Sequence, residues 1–202
     1  MSDHAQPFEA EVVHDIPDDI AMLIGRIMVC FAKVEHSLTM LTGLLLQLNK
    51  AEVRVVLREP RAEERLEMAL DIFAIKGIAV KSDTEALKSI LSRAAQKRDW
   101  LAHGIWLRHP NSKQLYLRVT RGSWPKSHTR GEVIKRAVFP QSIPYSATDC
   151  RETLSLIERA LSEVEKLGRE LDGALYHSPE KFRQTAPVID PLGRRPKKPK
   201  NH

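Results

Sequence analysis

An arginine, an acid and a histidine stand within six residues, Arg98-Asp99-Trp100-Leu101-Ala102-His103, with Gly104 directly after. Asp99 and His103 are four apart, so on a helix they share a face and can hydrogen-bond. A carboxylate on one ring nitrogen would fix the imidazole tautomer and favour its protonated, proton-donating form. A helix C-terminus pushes the same way, because its partial negative charge favours a cation. Arg98 is misplaced for an ordinary surface residue. Leu87, Ile90 or Leu91, Ala94 and Leu101 form one apolar stripe at helical spacing, and Arg98 interrupts it. A guanidinium there is costly unless it meets an acid, a phosphate or a partner subunit. Arg98 and His103 are about 140° apart around an ideal helix. Acting on one substrate requires a frayed last turn or a second copy of the chain. The plainer alternative is a salt-bridged arginine beside a capping histidine.

The element that carries this motif is expected to start near Asp83 or Thr84, with Glu85 in its first turn, and to stop at Gly104 in a left-handed cap. A long helix precedes it. It opens after Pro17 with Asp18 and Asp19, and a stripe from Ile20 to Leu48 runs along it to about Asn49. Glu35 borders that stripe. It is either a solvated flank or a carboxylate that reaches the motif helix and pairs with Arg98. Two shorter helices, over 51–58 and 61–76, fill the interval, closed by Pro60 and Gly77. After Gly104 the period changes to that of strands: 105–107, 115–119 and 133–139. A last helix over 147–176 carries the seam Leu154, Ile157, Leu161, Val164, Leu171 and Leu175, near heptad spacing. The seam suits packing along the first helix or pairing with a second subunit.

This predicts a mostly α domain over 17–177 with a small antiparallel β-meander at about 105–140, inserted before the last helix. Residues 1–16 read as a mobile leader and 178–202 as a disordered basic tail. The longest apolar run, at Leu44-Leu45-Leu46, is far too short to span a bilayer. Cys30 and Cys150 are isolated thiols with neither a disulfide framework nor a metal-ligand pattern. The expected setting is cytoplasmic, with no cofactor, metal or membrane.

The chain carries a net charge of +6, distributed unevenly. Residues 181–202 hold seven basic groups and one acid, and residues 104–141 hold eight and one. The helices are mildly acidic. Trp100, Trp106, Trp124 and Tyr116 are interleaved with Arg108, Lys113, Arg118, Arg121, Lys126 and Arg130. Flat rings among cations suit a single-stranded RNA surface. Equally, the rings would glue the meander to the bundle while the cations face solvent. Alternation puts Trp106 on the opposite face from Ile105 and Leu107, which reads as a ring outside the simple core pattern.

Residues 98–104 resemble the R-(N/D/H)-x3-H signature of the HEPN superfamily, the higher-eukaryote and prokaryote nucleotide-binding helical domains, in its bacterial "RN-x-x-AHG" form. The likeness is specific in these seven residues and architectural over roughly 18–177. It implies a dimeric helical bundle with the motif helices facing each other. It also implies that Arg98 and His103 are an active pair, with Asp99 in support; Glu35, if it reaches Arg98, would be a supporting residue. Many such domains are metal-independent endoribonucleases in toxin, defence or RNA-processing systems, some of them controlled by an inhibitory or activating protein. Others are non-catalytic. The expectation is RNA cleavage by 2′-hydroxyl attack, with His103 moving protons, Arg98 holding the phosphate and Asp99 orienting His103. Trp106, Lys113, Arg118 and Arg121 would guide the strand. The alternative is a non-catalytic dimeric interaction or nucleic-acid-binding module.

Overall fold

A computed structural model describes residues 10–58, 60–120 and 140–177. The element order is β1 (Glu11–Val12), α1 (Asp18–Leu46), α2 (Lys50–Val56), α3 (Ala62–Ile75), α4 (Thr84–His103), β2 (Ile105–Arg108), β3 (Leu115–Thr120), β4 (Pro140–Pro144) and α5 (Ala147–His177). The chain is thus mostly helical, with one small antiparallel sheet in the order β1-β2-β3-β4.

Local chemistry accounts for the helix ends. Asn49 caps α2 by accepting from the amides of Ala51 and Glu52, while the Glu52 carboxylate accepts from the Asn49 amide. Asp83 caps α4 by accepting from Ala86 N at 3.0 Å. Asp149 and Ser146 close the start of α5, with the Ser146 amide on Asp149 Oδ2 at 2.8 Å. Gly77, at φ +60°, ends α3 in the left-handed conformation that costs glycine least.

α1 is the axis of the bundle. Ile20, Leu23, Ile27, Phe31, Val34, Leu38, Leu41 and Leu45 are buried along it. It packs most extensively on α5, then on α3 and α4. The α5 seam therefore faces α1: Leu154, Ile157, Val164 and Leu171 are buried, and Leu161 and Leu175 pack against the same core. By length and composition α1 is apolar enough to cross a membrane, which the short run at residues 44–46 did not suggest. In the fold it is the central core helix.

Two local expectations change, and one strand is found beyond those expected. Residues 11 and 12 fall inside the expected leader, yet they form an edge strand paired with Leu107 and Arg108. Gly104 is extended, at φ −75° and ψ 152°, rather than left-handed. The chain passes from α4 into β2 with no loop, so no reversal is needed there. The strand that pairs with β3 is Pro140–Pro144, while 133–139 lies outside the described residues, as do 1–9 and the tail 178–202.

Candidate active site

The motif helix is intact through its last turn. The Gly104 amide donates to Trp100 O at 2.8 Å, so His103 ends a regular helix. Gly104 is required there by space. A Cβ would collide with the Trp100 carbonyl oxygen and approach Leu117 Cδ1 to 2.6 Å. Leu87, Leu91, Ala94 and Leu101 are buried, and Arg98 sits in line with them.

Arg98 lies between α4 and α1 with its side chain 25% exposed. Its guanidinium carbon stands 4.5 Å from the centre of the Phe31 ring, so a buried aromatic face fixes the cation from below. Nη1 meets Asp99 Oδ1 at 2.9 Å, and Nη2 meets Glu35 Oε1 at a longer 3.5 Å. Of the two readings of Glu35, the structure selects the one in which it reaches the motif helix. The Nε–H of Arg98 is buried with no acceptor among the described residues.

The expected Asp99–His103 hydrogen bond is replaced. Asp99 turns to Arg98, because a guanidinium one residue away outcompetes an imidazole at the exposed helix end. His103 is exposed at the terminus of α4. Asp99 is therefore a partner of Arg98 here and does not orient the histidine. Arg98 and His103 remain on diverging faces, since the last turn is not frayed.

Arg65 of α3 went unnoticed in the sequence. Its Nη1 donates to Glu35 O at 3.4 Å, its Nη2 to Leu57 O at 3.2 Å, and its Nε–H is buried without an acceptor among the described residues. Thr39 Oγ1 also donates to Glu35 O, at 2.7 Å. The Glu35 backbone is thus held twice while its carboxylate keeps one long contact. The only available signal was an arginine beside Leu66 in a helix whose other cations lie at its ends.

The expected nucleic-acid residues separate. Trp106 is 7% exposed and meets Tyr145 edge-on, with ring centres 5.9 Å apart. Trp106 lies on the opposite face from Ile105 and Leu107, as alternation requires, but it belongs to the core; of the other two, Ile105 is exposed and Leu107 is buried. Trp106 shares the inward face with its cross-strand partner Leu117, whereas Ile105 is exposed on the outer face. In this structure the ring joins the sheet to the bundle and offers no face to a base. Arg118, opposite Ile105, lies on the outer face with its Nε 3.4 Å from Ser142 Oγ. Lys113 is exposed in the β2–β3 turn, beside a shallow surface lined by Pro17, Arg108 and Leu115. Arg121, Trp124, Lys126 and Arg130 fall outside the described residues.

Under Trp106, Tyr145 is closed off, at 4% exposure. Thr153 Oγ1 donates to Asp149 O at 2.8 Å, so the Tyr145 hydroxyl donates to Thr153 Oγ1 across 2.9 Å. Burial pushes the Tyr145 hydroxyl up to about 12 and the Cys150 thiol up to about 11.

No protein-family model, curated protein or solved structure matches the chain. The family reading rests on residues 98–104 and on the arrangement around them.

Proposed function

We propose that this protein is a metal-independent endoribonuclease of the HEPN type, acting as a homodimer. The observation that carries the reading is Arg98. It is a guanidinium seated on Phe31 within an apolar stripe, partly exposed and fixed in direction. Such a group is preorganised to hold a phosphate whose charge grows during attack. RNA brings its own nucleophile, the 2′-hydroxyl, so the protein need supply only charge stabilisation and proton transfer. His103, exposed at the end of α4, supplies the proton transfer.

Because α4 is regular to His103, one chain does not aim both groups at one phosphodiester. A second copy, placed with its motif across a two-fold axis, would bring His103 of one copy to Arg98 of the other. α1 also leaves Met22, Val29, Met40 and Leu44 exposed, apolar surface that association would cover. Lys113 and Arg118 suit contact with the RNA backbone. The proposed setting is the cytoplasm, in defence or RNA processing, with activity open to control by another protein.

A second reading has its own support. Arg98 already holds two carboxylates, the pattern of a structural ion-pair cluster, and a non-catalytic interaction module would need no more. Purified protein incubated with mixed RNA in EDTA separates the two. The nuclease reading expects products ending in 2′,3′-cyclic phosphate and 5′-hydroxyl, absent with His103→Ala. Intact RNA with a folded wild type favours the interaction module.

A further inference from the structure

Cleavage by 2′-hydroxyl attack needs two proton transfers, one from the nucleophile and one to the leaving oxygen. With Asp99 committed to Arg98, His103 is left to serve one of them. We propose that Glu35 is the general base, taking the proton of the 2′-hydroxyl, and that His103 of the second copy is the general acid; this rests on the endoribonuclease reading.

Three observations single out Glu35. First, its carboxylate is beside the cation assigned to the phosphate, 3.5 Å from Arg98 Nη2. The attacking 2′-oxygen and the 3′-oxygen of the scissile phosphate belong to one ribose. A carboxylate one contact away from the phosphate-holding guanidinium is therefore in reach of that hydroxyl. Second, Glu35 is redundant as a counter-ion. Asp99 already neutralises Arg98 at 2.9 Å, and the Glu35 contact is longer by 0.6 Å. Third, the structural work of this residue is done by its backbone. Arg65 Nη1 and Thr39 Oγ1 both bind Glu35 O. The carboxylate is 36% exposed, with no other hydrogen bond among the described residues. A group held firmly at its backbone and loosely at its side chain can exchange one partner for another.

The charged groups that face it are Arg98, with Asp99 beyond it, from α4, and Arg65 from α3. A phosphate on Nη2 would take over the cation and release Glu35 toward the ribose. The bond from O2′ to phosphorus then forms as the bond from phosphorus to O5′ breaks. The 2′-hydroxyl proton passes to the Glu35 carboxylate, and the His103 imidazolium protonates O5′. No oxidant, metal or further reactant enters.

The test compares the pH–rate profiles of wild type, Glu35→Gln and Glu35→Asp on one RNA. A 2′-deoxy analogue that cannot be cut reports binding, and thermal melting reports folding. Glu35→Gln is expected to lower kcat by about 100-fold or more and to remove the acidic limb of the profile. Analogue binding should be unchanged or tighter, because a competitor for Arg98 has gone. Glu35→Asp should regain part of the rate together with the acidic limb. Retention of the limb in Glu35→Gln with kcat within about threefold overturns the assignment but leaves the nuclease standing. So does a loss of analogue binding in step with kcat, which would make Glu35 a holder of Arg98. If Glu35→Gln does not fold, Glu35→Asp decides: a kcat within about threefold of wild type overturns the assignment, because a base withdrawn by one methylene would not take the proton equally well. An inert wild type removes the nuclease reading and the general base with it.

Discussion

The Arg98 cluster and the Tyr145–Thr153 pair both place polar groups among apolar side chains, and they are built in opposite ways. Around Tyr145 the bookkeeping closes. The phenol donates to Thr153, Thr153 donates to the Asp149 carbonyl, and Trp106 covers the ring. Around Arg98 it stays open. The cation is stacked and paired, yet its Nε–H has no acceptor among the described residues, one carboxylate contact is long, and a quarter of the side chain faces solvent. A satisfied buried pair holds a sheet to a helix. A half-satisfied cation at a surface keeps capacity for an anion from outside.

The sharpest way to break this comparison is to remove the open site. Arg98→Ala and His103→Ala should each reduce RNA cleavage by about 100-fold or more while circular dichroism and light scattering report a folded dimer. The interaction-module reading expects Arg98→Ala to loosen the dimer and no variant to cut RNA.

Gly104 joins the two regions, and Gly104→Ala tests how rigid the join is. A Cβ meets the Trp100 carbonyl, which is backbone and cannot turn aside, and Leu117 of the sheet. The expected loss is about 1–3 kcal/mol, read as a lower urea midpoint.

The closed site predicts a smaller effect with a pH signature. Tyr145→Phe leaves a Thr153 acceptor empty, at a cost of about 1 kcal/mol near neutral pH. In the unfolded chain Tyr145 titrates at its ordinary value of 10.0; in the fold it keeps its proton to about 12. The stability tied to that proton is full below pH 10 and falls as pH rises toward 12. Denaturant titrations from pH 9 to 12 should show a shallower decline in Tyr145→Phe than in wild type. Cys150 sustains the remaining slope, with its thiol moved from 9.0 to about 11.

The smallest effect concerns the basic tail. Removal of residues 181–202 should weaken RNA binding and flatten its dependence on salt, since seven cations leave with one acid. Binding should survive through Lys113, Arg118 and the remainder of the basic segment 104–141. Complete loss would place the RNA platform in the tail.

The helices were legible because their periodicity is long and strong. The stripe from Ile20 to Leu45 and the α5 seam each repeat over many turns, and both are buried as the spacing requires. Arg98 was legible for the same reason, as a break in such a stripe. What failed depended on partners distant in sequence. Alternation in β2 gives two faces but does not say which meets the bundle; Tyr145, some forty residues later, decides that for Trp106. Asp99 had two neighbours in reach, and spacing alone did not rank the guanidinium above the imidazole. Arg65 was invisible because its acceptors are backbone carbonyls of Glu35 and Leu57, which carry no residue signature.

The edge strand β1 has a consequence for how the molecule assembles. Glu11 pairs with Arg108, so this strand, once synthesised, waits for almost a hundred further residues before its neighbour exists. α1 can meet α3 and α4 before then, and β2 can pair with β3 through a short turn. Joining β1 closes the longest loop of the sheet for the gain of two paired positions, an entropic cost with little return until the bundle stands. Docking of the N-terminal strand is therefore expected as a late step. In hydrogen exchange, the amides of β1 should open far below the free energy of global unfolding, while those of central α1 open only with the whole.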